Sequence, residues 1–172
     1  MESKTFNLKY RIAHTSSELE EADSKLYAAA AAAMQSAYAP YSQFSVGAAV
    51  ELVNGAIVSG SNQENIAFPS GLCAERVAIF AAASSHPGVA MRALAIVAQH
   101  QSEKNLSSVE SSGSITPCGA CRQVIVEYER LLKTPIRILT GAPHGHIIVL
   151  DNAESLLPLA FFSEALSKGH KE

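Results

Sequence analysis

Three cysteines, all carried by two short motifs, constrain this chain more than any other feature: Cys73-Ala74-Glu75 and Pro117-Cys118-Gly119-Ala120-Cys121. An odd number of thiols cannot close a complete set of disulfides and points instead to thiol chemistry or metal binding. Both motifs fall where helices are predicted to begin, so a fold that uses them must bring two helix starts face to face. Three thiolates would give zinc a site with an open fourth position, the arrangement of catalytic rather than structural zinc. Buried structural cysteines are the alternative, since free cysteine is among the most buried residue types.

Glu75 follows a candidate ligand by two residues, near enough to reach the open position without occupying it, which is where a proton carrier is wanted. The alternative is a first-turn glutamate interacting with the helix dipole. Three thiolates make the centre anionic, and two helix N-termini together with the guanidinium of Arg76 would offset that charge. Arg76 on the outer surface of its helix is the other reading.

Patterning around the motifs predicts a single three-layer α/β/α sandwich with a five-stranded mixed sheet. Thr15-Ser16-Ser17-Glu18 has the form of a capping box, which predicts a first helix over 19–37, rich in alanine. Runs at 44–53 and 56–59, split by Asn54-Gly55, read as a hairpin. Cys73, Val77, Phe80 and Ala81 recur at helical spacing, and a short apolar strand follows at 93–98. Thr116 as cap and Pro117 at the first helical position predict a third helix over 118–132. Strands are expected at 135–139 and 146–150, then a short helix around 154–157. The polar, serine-rich stretch 99–114 reads as a mobile loop. His144-Gly145-His146 reads as a turn before a strand.

Composition narrows the function classes. The 172 residues carry a net charge of -3 with only 6% aromatics, which disfavours a nucleic-acid partner. The first twenty residues lack the apolar core of a signal peptide, and the alanine run at 28–33 is too short to span a bilayer, so the expectation is a cytoplasmic protein with no membrane partner. Charged residues are 17% of the chain, low enough for some surface to be covered by other subunits.

With these motifs read, the chain resembles the homotetrameric zinc-dependent cytidine deaminases. The resemblance runs through Tyr41-Ser42-Gln43-Phe44-Ser45-Val46-Gly47-Ala48-Ala49, Gly60-Ser61-Asn62-Gln63-Glu64-Asn65, Cys73-Ala74-Glu75-Arg76, Pro117-Cys118-Gly119-Ala120-Cys121-Arg122-Gln123 and Leu156-Leu157-Pro158. It covers residues 22–163, between an N-terminal extension over 1–21 and a tail over 164–172. It implies one zinc per subunit on Cys73, Cys118 and Cys121, activating a water that adds to C4 of cytidine, and of 2′-deoxycytidine, in pyrimidine salvage. Glu75 would protonate N3 and then the departing amine. By position in the family, Asn62 and Glu64 would bind the ribose and base, Phe44 would wall the pocket, and the backbone at Ala74 and Pro117 would contact the base. Phe161, or Phe162 beside it, would close over the substrate of an adjacent subunit.

The residues alone leave other readings open. Asn62 and Asn65 also suit the ordering of a loop through their side chains, and Phe44, Phe161 and Phe162 also suit the core of their own subunit. A blasticidin-S-type aminohydrolase shares the cysteine motifs, and a non-enzymatic zinc module is the reading from another class, disfavoured by the missing fourth ligand. Phe68 stands where many relatives of the family carry tyrosine, so any contact made by that phenol is lost here.

Overall fold

The computed structural model describes residues 1–103 and 115–162. Its elements in chain order are β1 (Arg11–Ala13), α1 (Glu21–Met34), β2 (Phe44–Leu52), β3 (Ile57–Ser61), α2 (Ala74–Ser85), β4 (Met91–His100), α3 (Gly119–Leu131), β5 (Arg137–Gly141) and β6 (Ile147–Leu150). Short 3-10 turns occupy Ser16–Glu18, Phe68–Ser70, Gln101–Glu103 and Glu154–Leu156.

The strands form one sheet in the order β1-β6-β5-β4-β2-β3. β4 and β5 are parallel, and every other neighbouring pair is antiparallel. The expected sheet of five strands is thus corrected to six, because β1, from the N-terminal extension, pairs with β6 in the register Arg11 to Val149 through Ala13 to Ile147. A three-residue strand carries too little alternation to be recognised from sequence.

Alternation along the strands sends one set of side chains to each face. On β4, Leu94 and Ile96 join Ala78, Ile79 and Ala82 of α2 and Ile125 and Val126 of α3. Ala93, Ala95 and Val97 turn the other way, onto Leu26, Tyr27, Ala30 and Met34 of α1. Two helices therefore cover one face and α1 the other, which is the expected three-layer architecture. The alanines of α1 let it lie close on its own sheet: a Cβ at Gly47 would stand 2.1 Å from the Ala30 carbonyl oxygen.

Several boundaries move for identifiable reasons. α1 starts at Glu21, not at 19, because Thr15 makes no side-chain cap and Glu18 instead accepts from the His14 N–H at 3.0 Å, closing a separate 3-10 turn. The N-cap of α3 is Cys118 rather than Thr116. On α2 the inward stripe is Ala74, Glu75, Ala78, Ile79 and Ala82. Of the repeat through Val77, Phe80 and Ala81, Val77 is half-buried against Gly60 of β3, while Phe80 and Ala81 are exposed on the outer face. The Asn54-Gly55 turn stands as expected, with Gly55 at φ 85° and the Asn54 side chain accepting from the Ala56 N–H at 3.1 Å. Residues 104–114, which hold most of the serine-rich stretch, and residues 163–172 lie outside the described residues. No described helix is long and apolar enough to cross a membrane.

Candidate metal centre and active site

Two helix starts converge at one end of the α2/α3 layer. Cys73 caps α2, Cys118 caps α3, and Cys121 is buried in the first turn of α3. The three Sγ atoms lie within 4.8 Å of one another, and Cys73 and Cys118 are 3.9 Å apart. Among the described residues this is the one group of three or more possible metal ligands drawn together. Soft sulfur donors at this spacing fit a single zinc, with one position left for a non-protein ligand.

The electrostatics fit the same purpose. A hydrogen bond from Cys121, joined by one from Arg76, holds the Cys73 thiol down at about 5. In the same pair Cys121 is pushed up by its bond to Cys73 and by burial. Arg76 Nη2 stands 3.7 Å from Cys73 Sγ, so its guanidinium faces the cluster rather than solvent. Its Nε is buried with no hydrogen-bond partner among the described residues. Glu75 is 5% exposed, and burial, followed by repulsion from Cys73, raises its carboxyl above the ordinary range.

A cavity of 760 Å³ opens beside the cluster. Phe44, Asn62, Glu64, Cys73, Glu75, Arg76 and Cys118 all contribute to its wall, which brings seven of the candidate residues to one space. Ile96 and Leu72 add apolar surface that sequence reading did not single out, and Phe68 meets Tyr41 edge to face, ring centroids 6.0 Å apart. Ala74 and Pro117 are buried next to their cysteines without lining the cavity, and Phe161 does not line it either.

Two polar candidates are engaged in ways that sequence left open. Asn62 extends the β2–β3 ladder with its side chain, accepting from the Val46 N–H at 2.8 Å and donating to the Phe44 carbonyl at 2.9 Å. This is the loop-ordering alternative, although Asn62 still reaches the cavity. Glu64 is half-buried, and the N–H groups of Tyr41 and Ser42 donate to its Oε2 at 2.9 and 3.3 Å. Those donors, with the Ser42 side chain foremost, hold its carboxyl below the ordinary range. Asn65 accepts from the Ala67 N–H at 2.9 Å and orders its own loop.

Residues 20–134 match the family described as cytidine and deoxycytidylate deaminase zinc-binding region. The chain belongs to this family. The cytidine deaminase of Sporosarcina psychrophila is 45% identical over 105 residues, 60% of this chain and 68% of that protein. That of Halalkalibacterium halodurans is 36% identical over 135 residues, 78% of this chain and 90% of the other. The crystal structure of cytidine deaminase from Burkholderia pseudomallei has a TM-score of 0.65 at 38% identity, covering 80% of this chain and 97% of that one. Membership agrees with the zinc-compatible cysteine cluster and with the mixed α/β fold.

Proposed function

We propose that this chain hydrolyses cytidine, and 2′-deoxycytidine, to uridine or 2′-deoxyuridine and ammonia, as a cytoplasmic homotetramer serving pyrimidine salvage with one zinc per subunit. The observation that carries the reading is a buried carboxylate, Glu75, beside three converged thiols at the end of a cavity of 760 Å³. Cys73, Cys118 and Cys121 would hold zinc, which when bound supplies Lewis acidity and makes water a nucleophile at neutral pH. Glu75 would take one proton from the attacking water and pass it to N3 of the pyrimidine as the water oxygen bonds C4, then take the proton of the new C4 hydroxyl and carry it to the amine as the C4–N4 bond breaks.

The charge of the cavity separates nucleoside from nucleotide. Among the described lining residues Arg76 is the one cation, and its guanidinium is directed at Cys73. Glu64 and Glu75 add negative charge to the same wall. Among the described lining residues, no arginine or lysine other than Arg76 is placed to receive a 5′-phosphate. In an absorbance assay cytidine is expected to turn over, with kcat/KM for cytidine 5′-monophosphate lower by roughly 100-fold or more. Comparable turnover of the two would refute the nucleoside assignment.

The sugar hydroxyl is assigned to Glu64 Oε1, because both backbone donors of this carboxylate fall on Oε2. Glu64→Ala is expected to raise KM for cytidine and lower kcat/KM by about 10-fold to 100-fold, with zinc content and circular dichroism unchanged. Unchanged cytidine kinetics in this variant would remove Glu64 from the sugar site.

The shared active site draws support from the two adjacent phenylalanines. Phe162 packs against its own core, with the Arg130 guanidinium 3.4 Å from its ring centroid, whereas Phe161 is 61% exposed. Phe161 is therefore the ring available to a neighbouring subunit, and the exposed outer face of α2 offers apolar surface for association. Sedimentation is expected to give four chains. Mixing Phe161→Ala with inactive Glu75→Gln chains is expected to restore activity, because a hybrid can pair an intact Glu75 with a neighbour's intact Phe161. A fully active monomer would exclude the shared site.

A further inference from the structure

The segment from Ala153 to Phe161 has little regular structure beyond one 3-10 turn, so its backbone polar groups need partners from elsewhere. α3 supplies them along its length. Near its end, Glu129 accepts from the Ala153 and Glu154 N–H groups at 2.8 and 3.0 Å. Near its start, Arg122 Nη1 donates to the Leu156 carbonyl at 3.2 Å, and Gln123 Nε2 donates to the Phe161 carbonyl at 2.8 Å. The remaining donors of Arg122 turn toward the metal loop, with Nε on the Pro117 carbonyl at 2.8 Å and Nη2 on Thr116 Oγ1 at 3.0 Å.

We infer that Arg122 and Gln123 are positioning residues that lock the Thr116–Cys118 loop and the Leu156–Phe161 segment into one unit, so that the turn presenting two thiols also sets where Phe161 stands. A guanidinium suits the joint because its planar fork can donate to two chain segments at once. Lysine, with a single ammonium on a flexible stem, cannot reproduce that three-way grip. Gln123 holds the carbonyl of Phe161 itself, so its loss frees the ring's backbone without touching the ring. The effect on substrate rests on the shared-site reading of Phe161 proposed above; the joint itself does not.

The test uses the zinc-loaded full chain and two measurements. Gln123→Ala and Arg122→Lys are expected to speed hydrogen exchange of amides in 156–161 while zinc content stays at the wild-type level. Unchanged exchange in both variants would overturn the joint. Gln123→Ala is also expected to raise KM for cytidine roughly fivefold, the worth of one hydrogen bond, with kcat kept. Adding it to Phe161→Ala should change KM little further, because both act through the same ring. An unchanged KM in Gln123→Ala, or full additivity with Phe161→Ala, would overturn the positioning role. If Phe161→Ala alone left KM unmoved, the shared-site reading would fall with the positioning role, while the exchange measurement would still decide the joint.

Discussion

Glu75→Gln is expected to retain the zinc of the parent chain and to lose at least about 10²–10⁴-fold in kcat, the usual worth of one general acid–base group. The substitution keeps the size of the side chain and its place on the buried stripe of α2, so neither packing nor the three thiols are disturbed. It removes the capacity to take up and release a proton next to the cysteine cluster. Because the proposed role covers more than one transfer, the loss should lie toward the upper end or beyond. Metal analysis and an absorbance assay on the same sample separate the two functions. A zinc-loaded Glu75→Gln protein with near-normal turnover would take Glu75 out of the mechanism, and a zinc-free one would make it a determinant of the metal site.

Glu129→Ala carries the largest expected effect on stability. Glu129 is 7% exposed, and its two oxygens accept from three backbone N–H groups, those of Ile136 at 2.6 Å, Ala153 at 2.8 Å and Glu154 at 3.0 Å. Truncation leaves the Ile136 and Ala153 donors buried and that of Glu154 partly so, and each buried unpaired group costs about 1–3 kcal/mol. A net loss of about 3–5 kcal/mol follows after some relaxation, lowering the melting temperature by on the order of 10 °C for a chain of this size. Glu127→Ala, two residues earlier on the exposed side of α3, should stay within about 0.5 kcal/mol. Thermal melts of the two variants side by side test the assignment, and equal melting temperatures would defeat it.

The two cysteine motifs, the place of Glu75 beside Cys73 and the hairpin at Asn54-Gly55 were legible because each is written in short-range spacing, whereas the meeting of Cys73 with Cys118, 45 positions on, needed the fold. A residue two positions after a helix cap stays near that cap wherever the helix goes, and Asn-Gly prefers the turn conformation on its own account. Asn62 was less legible: its position in the motif placed it at the cavity, but whether its amide served a ligand or the chain depended on the edge of β2 lying beside it. The α2 repeat was real, yet its Phe80 and Ala81 belonged to the outer face, since periodicity finds a stripe without saying which stripe meets the sheet.

By itself, then, the sequence determined the residue types and local geometry of the zinc-compatible centre, the order of helices and strands, and the family. Tertiary structure alone decided that β1 completes a sixth strand, that Glu129 holds three backbone amides, and that Arg122 and Gln123 join the metal loop to the C-terminal segment. The division has a physical origin. Local signals arise from dihedral preferences and helical period within a few residues, whereas a partner 24, 34 or 38 positions away is chosen only when packing brings two surfaces together and leaves their polar groups to satisfy one another.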